Sequence, residues 1–383
     1  MVNTNQDALG IIFPNSYDNQ VPELVSERLM ASIPFASRYR MIDFLLSSMV
    51  NCGIDNISVI VRKNYRSLMR HLGSGREWDL TRKNGGLNIV PPFAEKTVKV
   101  YNGRVEALAS ILEFLKIQRE KYVVISDANI VANFDFHAMI DAHAASGADV
   151  TIAYKKEEIP YGFMNLQPTL TTDLYYTLKL DEESGRVTQI KTNPKEHGPQ
   201  NFSMNIYLID RELLIEQISN AYAHGFSYFE RDILAPQLED LKVYGYEYTG
   251  YTARISDKNS YFNENMRLLQ DENLSALFDR SPIYTRVRDD NPTRYIGKSR
   301  VRNSMVADGC VIEGEIENCV LFRGVRVGRG SVVKNCILMQ DTTIMNNVEM
   351  EYIITDKEVT VSTGKELKGN DSFPIFVPAY KEI

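Results

Sequence analysis

Through about residue 275, short apolar runs alternate with longer amphipathic stretches. Strands buried on both faces and joined by crossover helices give that pattern. The runs Leu9–Phe13, Ile57–Val61, Lys121–Ser126, Asp149–Tyr154, Ser203–Ile209 and Lys242–Glu247 predict strands. Periodicity predicts helices near Arg40–Cys52, Val105–Lys116, Phe136–Ser146 and Asn263–Leu274. The sum is a parallel-rich α/β domain over 1–280. Pro282 and Pro292 break the pattern and mark 281–294 as a linker. From 295 to 383 the helical period vanishes and Gly, Val, Ile and Asn take over. Leu321, Val327, Val333 and Met339 fall six apart, as do Gly324 and Gly330. This period predicts a parallel β-helix of hexapeptide repeats, each rung burying one inward side chain against the next. An antiparallel sandwich would show hairpin turn pairs, and only Asp308-Gly309 offers one. Such solenoids more often serve assembly than catalysis.

Composition narrows the function classes. With 43 Lys and Arg against 50 Asp and Glu, the formal charge of -7 gives no overall basic field for nucleic acid or an anionic membrane. No apolar run approaches the roughly 20 residues that span a bilayer, and the first residues lack a basic leader. Cys52, Cys310, Cys319 and Cys336 form no CxxC pair, so neither a zinc site nor a disulfide framework is expected. A cytoplasmic protein fits these features.

Three features carry a family resemblance: RYRMIDFLLSSMVNCGI (38–54), RHLGSGREWDLTRKNGGLNIVPP (70–92), and an α/β domain followed by a β-helix. Together they resemble the ADP-glucose pyrophosphorylases, or glucose-1-phosphate adenylyltransferases, over nearly the whole chain. The resemblance implies a Rossmann-like nucleotidyltransferase domain with a mixed, mainly parallel sheet, and a left-handed parallel β-helix. It also implies glycogen biosynthesis, in which ATP and glucose 1-phosphate give ADP-glucose and pyrophosphate. Chemistry of that kind needs a triphosphate cradle, Mg²⁺ and cations on the leaving group.

Several family positions are changed. The glycine-rich phosphate loop falls on Asn15 to Gln20 without a glycine, its arginine is Gln20, and Asp18 brings a negative charge toward the phosphates. At close range that like-charge contact would cost on the order of 4 kcal/mol. The lysine of the RAKP signature is Met30, and the EKP motif reads Thr192, Asn193 and Pro194. The C-terminal metal aspartate aligns with Arg254, and a guanidinium cannot ligate Mg²⁺. The other metal position falls on Asp127 or Asn129. Kept positions are Tyr101, Gly103, Gly162, Met164, Ser203 and Met204; for Tyr101 and Ser203, sugar-pocket contact and plain packing are weighed equally.

Arg38 and Arg40 match a motif whose basic residues bind phosphorylated effectors in catalytic relatives, with a solvated helix start as the plainer role. Arg62, Lys63, Arg66, Arg70 and His71 form a second basic cluster, read first as a solvated helix face. Losses at Gln20, Met30, Asn193 and Arg254 strike separate parts of one reaction. They favour a GlgD-type regulatory subunit, inactive alone, with no Mg²⁺ of its own and no nucleic-acid or membrane partner. It would join a catalytic ADP-glucose pyrophosphorylase subunit in a heterotetramer and respond to a phosphorylated metabolite. The alternatives are an active adenylyltransferase with a divergent site and a sensor of ADP-glucose or sugar phosphate.

Overall fold

A computed structural model describes residues 7–91, 101, 103–160, 163 and 174–383. The first domain is built on a nine-stranded sheet. Its strands are β1 (Ala8–Phe13), β2 (Asn56–Ile60), β3 (Gly86–Val90), β4 (Tyr122–Asp127), β5 (Val150–Glu158), β6 (Tyr176–Leu180), β7 (Val187–Thr192), β8 (Pro199–Asp210) and β9 (Val243–Glu247). Strands β3, β2, β1 and β4 are parallel neighbours in that order. Strand β8 runs antiparallel between β4 and β5, and β9 lies parallel to β5 on its far side. The β6–β7 hairpin joins the start of β8 through Thr177 and Phe202. The six runs expected as strands form strands, and the sheet is mixed but mainly parallel in its core. It is apolar on both faces because helices cover both. One layer packs Ile12, Ile57 and Val124 under Leu46 and Met49, and the other packs Ile11, Val123 and Tyr207 under Leu108 and Leu214.

Helices α1 (Met41–Asn51), α2 (Arg66–Leu72), α3 (Arg104–Ala109), α4 (Leu112–Ile117), α5 (Phe136–Ser146), α6 (Arg211–Ala223), α7 (Lys258–Arg267) and α8 (Asp271–Phe278) surround the sheet. Two predicted helices are each broken in two. The stretch 105–116 divides into α3 and α4 because the Ser110 hydroxyl bonds back to the Ala107 carbonyl and Ile111 closes a tighter turn on Leu108. The stretch 263–274 is really the end of α7 and the start of α8. Helix α7 begins earlier, where Asp257 and Ser260 cap each other's backbone reciprocally. The break follows three successive i→i+3 bonds from Leu268, Leu269 and Gln270. Among the described residues no helix is long and apolar enough to cross a membrane.

Between Phe278 and Arg294 the chain has no helix or strand, and beyond it three five-stranded parallel sheets stack around a triangular core, consistent with a left-handed β-helix. Successive rungs take 15 or 17 residues, and the last step of one sheet takes 22, not three times six. The strict six-residue period therefore slips. Leu321 stacks on Leu338 inside the coil, while Met339 points outward into the interdomain core. Asn303, Asn318 and Asn335 turn one corner at φ of 41° to 51°, a region asparagine tolerates, and their amides form a ladder at 2.8 and 3.3 Å.

The β-helix docks through an apolar seam in which Val320, Phe322, Ile337 and Met339 meet Met30, Phe35, Phe44 and Phe262. One buried ion pair crosses it. Arg28 Nη2 lies 2.5 Å from Asp356 Oδ1, with the side chains 4% and 0% exposed. A buried charge left without its partner costs roughly 3–5 kcal/mol, whereas replacing both partners with apolar groups is often close to neutral. Arg28→Met should therefore lower unfolding free energy by about that amount in urea titrations. Adding Asp356→Leu should restore most of it, less the bond Asp356 also accepts from the Lys357 N–H. Additive losses in the double variant would show that the pair does not act as a unit.

Candidate functional site

The parallel strands β1, β2 and β4 end together, Phe13 opposite Asp127 across the β1–β4 pair, and a cleft opens at their carboxyl ends. That end is where open α/β sheets bind ligands. Its walls include Asn15, Ser16 and Tyr17 after β1, Arg62 after β2, Gly103 and Arg104 at the start of α3, Asp127 at the end of β4, and Glu230. Side chains leave a cavity of only about 70 Å³. A few waters fit there, whereas ligand pockets run to several hundred Å³.

Arg104 fills the centre. Its Nη2 donates to both oxygens of Asp127 at 2.9 Å, and its Nη1 donates to Glu230. The guanidinium also lies over the rings of Phe13 and Tyr207, at 5.3 and 5.4 Å. Burial opposes a charge here, but Asp127 and Glu230 together hold the Arg104 pKa well above its ordinary value. Burial likewise pushes the Asp127 carboxyl upward, against the guanidinium and the Ser16 hydroxyl, which donates to Oδ1 at 2.7 Å. On the other side, Tyr207 donates to Glu230 at 2.7 Å.

The loop after β1 is built to be filled rather than to cradle. Asn15 pins it to the end of β2, accepting from the Arg62 N–H at 2.9 Å and donating to Asp18 at 2.8 Å. Tyr17 takes a left-handed conformation, φ 66°, that puts its ring into the core against Phe163. Its hydroxyl donates to the Leu174 carbonyl at 2.8 Å and accepts from Asn205 at 2.6 Å. Asn205 reaches it from a bulge in β8, where its own φ is 53°. Asp18 does not face the cleft as its sequence position suggested. Its carboxylate accepts the Met30 N–H at 2.8 Å, an N-cap-like bond to the turn at Met30–Ser32, and is buried there. The like-charge penalty expected from Asp18 therefore gives way to a filled loop.

The other predicted positions scatter. Met30 is a core residue of the domain seam. Gln20 has its amide buried without a hydrogen-bond partner among the described residues. Asn193, at φ 47°, exchanges two bonds with the Tyr175 backbone, both at 2.9 Å. Arg254 is buried, its Nε 3.0 Å from Glu157, its Nη1 donating to the Ser203 carbonyl and its guanidinium 3.8 Å over the Phe202 ring. Burial lowers its pKa. Ser203 is spent on the bulge, accepting the Asn205 N–H at 3.1 Å, and Tyr101 packs beside the Val105–Leu108 core; neither lines the cleft. Gly103 does, and a Cβ there would lie 2.2 Å from the Ser227 carbonyl oxygen. Asn129 lies buried, its amide without a partner among the described residues, away from the cleft walls that include Asp127. Gly162 and Met164 lie outside the described residues. The occupants that sequence reasoning missed are Tyr17, Arg104, Tyr207 and Glu230. Of these, Tyr17 lies within the loop marked as Asn15 to Gln20 and Arg104 follows the kept Tyr101 and Gly103, whereas Tyr207 and Glu230 carried no signal.

A second, larger cleft of about 510 Å³ lies between the domains. Arg38 and Arg40 enter it beside Arg66 and Arg70 of α2, Arg286 and Arg288 of the linker, and Arg323 and Lys357 of the β-helix. Glu27 and Glu358 are the acids on its walls. Burial, together with surrounding guanidiniums and only partly opposed by Asp43, pushes Arg40 down to about 10. Burial, then Arg38 and Arg288, lower Arg323 as well. The second basic cluster is thus split: Arg66, Arg70 and His71 line this cleft, and Arg62 lines the first.

Residues 23–269 match the family model described as nucleotidyl transferase, and residues 290–372 match the GlmU-like C-terminal hexapeptide model. The chain is 33% identical to the glycogen biosynthesis protein GlgD of Bacillus subtilis over 97% of its own length and 95% of the relative's. It is 36% identical to GlgD of Geobacillus stearothermophilus over 86% of the chain and 83% of that protein. It is 31% identical to the glucose-1-phosphate adenylyltransferase of G. stearothermophilus over 85% and 83%. The chain therefore belongs to the nucleotidyltransferase family, in the branch that carries a hexapeptide β-helix and includes both GlgD proteins and glucose-1-phosphate adenylyltransferases.

Proposed function

We propose that this chain is a noncatalytic, regulatory subunit of glucose-1-phosphate adenylyltransferase in glycogen biosynthesis. It joins a catalytic paralogue in a heterotetramer in the cytoplasm and passes on the binding of a phosphorylated metabolite between its domains. The observation that carries this reading is the Arg104 bridge between Asp127 and Glu230. The family's reaction needs a divalent cation held by carboxylates, and the residues present do not fit one. Both oxygens of Asp127 are taken by Arg104, and the second family position is the guanidinium of Arg254. Among the described residues, no group of three or more His, Cys, Asp or Glu stands ready to hold a metal. A tethered cation occupies the charge site permanently, and it cannot follow charge onto a leaving group as a bound ion does.

Regulation is supported by the interdomain cleft, where cations of both domains outnumber the acids even though Asp356 pairs Arg28, Asp308 pairs Arg38 and Asp290 pairs Arg288. The reading of an ADP-glucose or sugar-phosphate sensor loses its support at Tyr101 and Ser203, which do not line the first cleft. All four cysteines are free and buried, in keeping with a reducing compartment.

Alone, the purified chain should release negligible pyrophosphate from ATP and glucose 1-phosphate with Mg²⁺. Mixed with the catalytic subunit, it should raise turnover or substrate affinity. Ordinary turnover by the lone chain would defeat the proposal. The bridge itself is tested by Arg104→Ala, which leaves two buried carboxylates without a cation. At pH 7.5 the variant should lose roughly 3–5 kcal/mol of unfolding free energy. The carboxyl pKa in the folded variant is raised above its unfolded value, so the cost is present at neutral pH and shrinks as pH falls toward 5. Urea titrations at pH 7.5 and 5 measure both, and an equal, small loss at the two pH values would contradict the bridge.

A further inference from the structure

The stacked corners of the β-helix are not all alike. Along one edge the strands ending at Tyr295, Val327 and Ile344 reach the next strand through residues 296–299, 328–331 and 345–348, but the strand ending at Ile312 does so through 313–314 alone. The short corner opens a notch of about 420 Å³ between its neighbours, lined by Ile296, Gly314, Val332 and the carboxylates of Glu313 and Glu315. A Cβ at Gly314 would lie 2.5 Å from the Ser331 carbonyl oxygen, so glycine is what lets this corner pass so tightly. Arg329 of the next corner stands beside the notch, its side chain 82% exposed and 3.7 Å from Glu313.

The sheet that follows these corners takes no part in the seam with the first domain, which uses Val320, Ile337 and Ile354 of another sheet. Its middle residues Ile316, Val333 and Met350 point into the coil, so their neighbours on either side face outward in rows. The rows are Arg300 and Arg302, then Glu315 and Glu317, then Val332 and Lys334, then Glu349 and Glu351. Their charge alternates from coil to coil, positive, negative, positive, negative. Within one chain these groups are loosely paired, Arg302 with Glu317 at 3.1 Å, Arg300 with Glu315 at 3.7 Å and Lys334 with Glu317 at 4.0 Å. Glu351 accepts from Asn335 at 3.4 Å. Exposed pairs of this kind add little stability, which leaves the rows available to a facing surface.

We propose that this sheet is an interface between two copies of the chain, packed face to face and antiparallel about a twofold axis that lies along the strands between the second and third coils. The axis sets the first row against the fourth and the second against the third. Arg300 then meets Glu349 of the second copy, Arg302 meets Glu351, and Lys334 meets Glu317, each twice by symmetry. At the corner, Arg329 of each copy reaches the notch of the other beside Glu313. No like charges oppose in this register. A parallel arrangement would set every row against itself, so the alternation selects the antiparallel one. Coils about 4.8 Å apart and strands about 10 Å long give a buried area on the order of 800 Å² in total, below that of a self-sufficient interface. The contact is therefore weak alone and acts within a larger assembly. It does not rest on the regulatory role proposed above.

The full chain carrying Arg302→Cys with Glu351→Cys tests the register, because the natural cysteines are all buried. Within one chain the two sites lie three coils apart, about 14 Å, too far for a disulfide, whereas across the proposed interface they face each other. Mild oxidation should turn most of the double variant into a covalent dimer on a nonreducing gel and leave each single variant uncrosslinked. The charges are tested without new cysteines. Arg300→Glu with Arg302→Glu, and separately Glu349→Lys with Glu351→Lys, should each weaken self-association about tenfold in sedimentation equilibrium at low salt. An equal mixture of the two reversed chains should recover it, since each then offers the row that the other lacks. No covalent dimer from the double variant, single variants that cross-link as readily, or a mixture that recovers nothing would overturn the proposal. Reversed chains that self-associate like the wild type but lose the catalytic subunit would give this face to the paralogue, and would overturn it equally.

Discussion

One guanidinium decides what this fold can do. Arg104 sits where three strand ends and a helix start converge, and it spends its donors on two carboxylates that would otherwise repel each other. Buried charges survive only when paired and hydrogen-bonded. Once Asp127 and Glu230 lie beneath the sheet's carboxyl edge, a cation must lie between them. In an enzyme of this family that cation can be a diffusible ion, which leaves room for phosphates. Here it is a side chain, and the loop after β1 closes over it with Tyr17 anchored by Asn205 and Leu174. Loss of glycine, gain of Tyr17 and gain of Arg104 form one structural solution: a cleft that is stable without a ligand.

The interdomain cleft obeys the opposite rule. Burial, and then the neighbouring guanidiniums, lower Arg40 and Arg323 there, a cost that a bound anion would relieve. The buried Arg28–Asp356 pair and the shared apolar seam fix the two walls relative to each other. The two clefts draw on different residues, so the proposed regulatory role does not depend on what the first cleft can do.

Much of the fold is legible in the sequence. Runs such as Lys121–Ser126 are too apolar to be anything but doubly covered strands, and the late Gly and Asn positions foretell the β-helix corners. The six-residue period misplaces Met339 by one residue, because a rung of 17 slips against multiples of six and packing alone decides between Leu338 and Met339. Helix breaks at Ser110 and Leu268 turn on a few local hydrogen bonds that periodicity does not register. The site is harder to read. Motif comparison flags what is missing at Gln20, Met30 and Arg254, yet Met30 and Arg254 lie in other parts of the structure from the cleft they were expected to impair. What fills that cleft comes from residues far apart in the chain, as Glu230 and Asn205 show. Arg38 and Arg40 could be placed in a basic motif, but only folding brings the linker and β-helix cations to them.

The most direct test of the account is equilibrium binding of ATP to the isolated chain by calorimetry, with and without Mg²⁺, at fixed ionic strength. A cleft already holding its own cation and its own ring should show no Mg²⁺-dependent ATP binding. Saturable binding that requires Mg²⁺ and is abolished by Asp127→Asn would mean that Arg104 and Tyr17 give way to the nucleotide, and it would contradict the account.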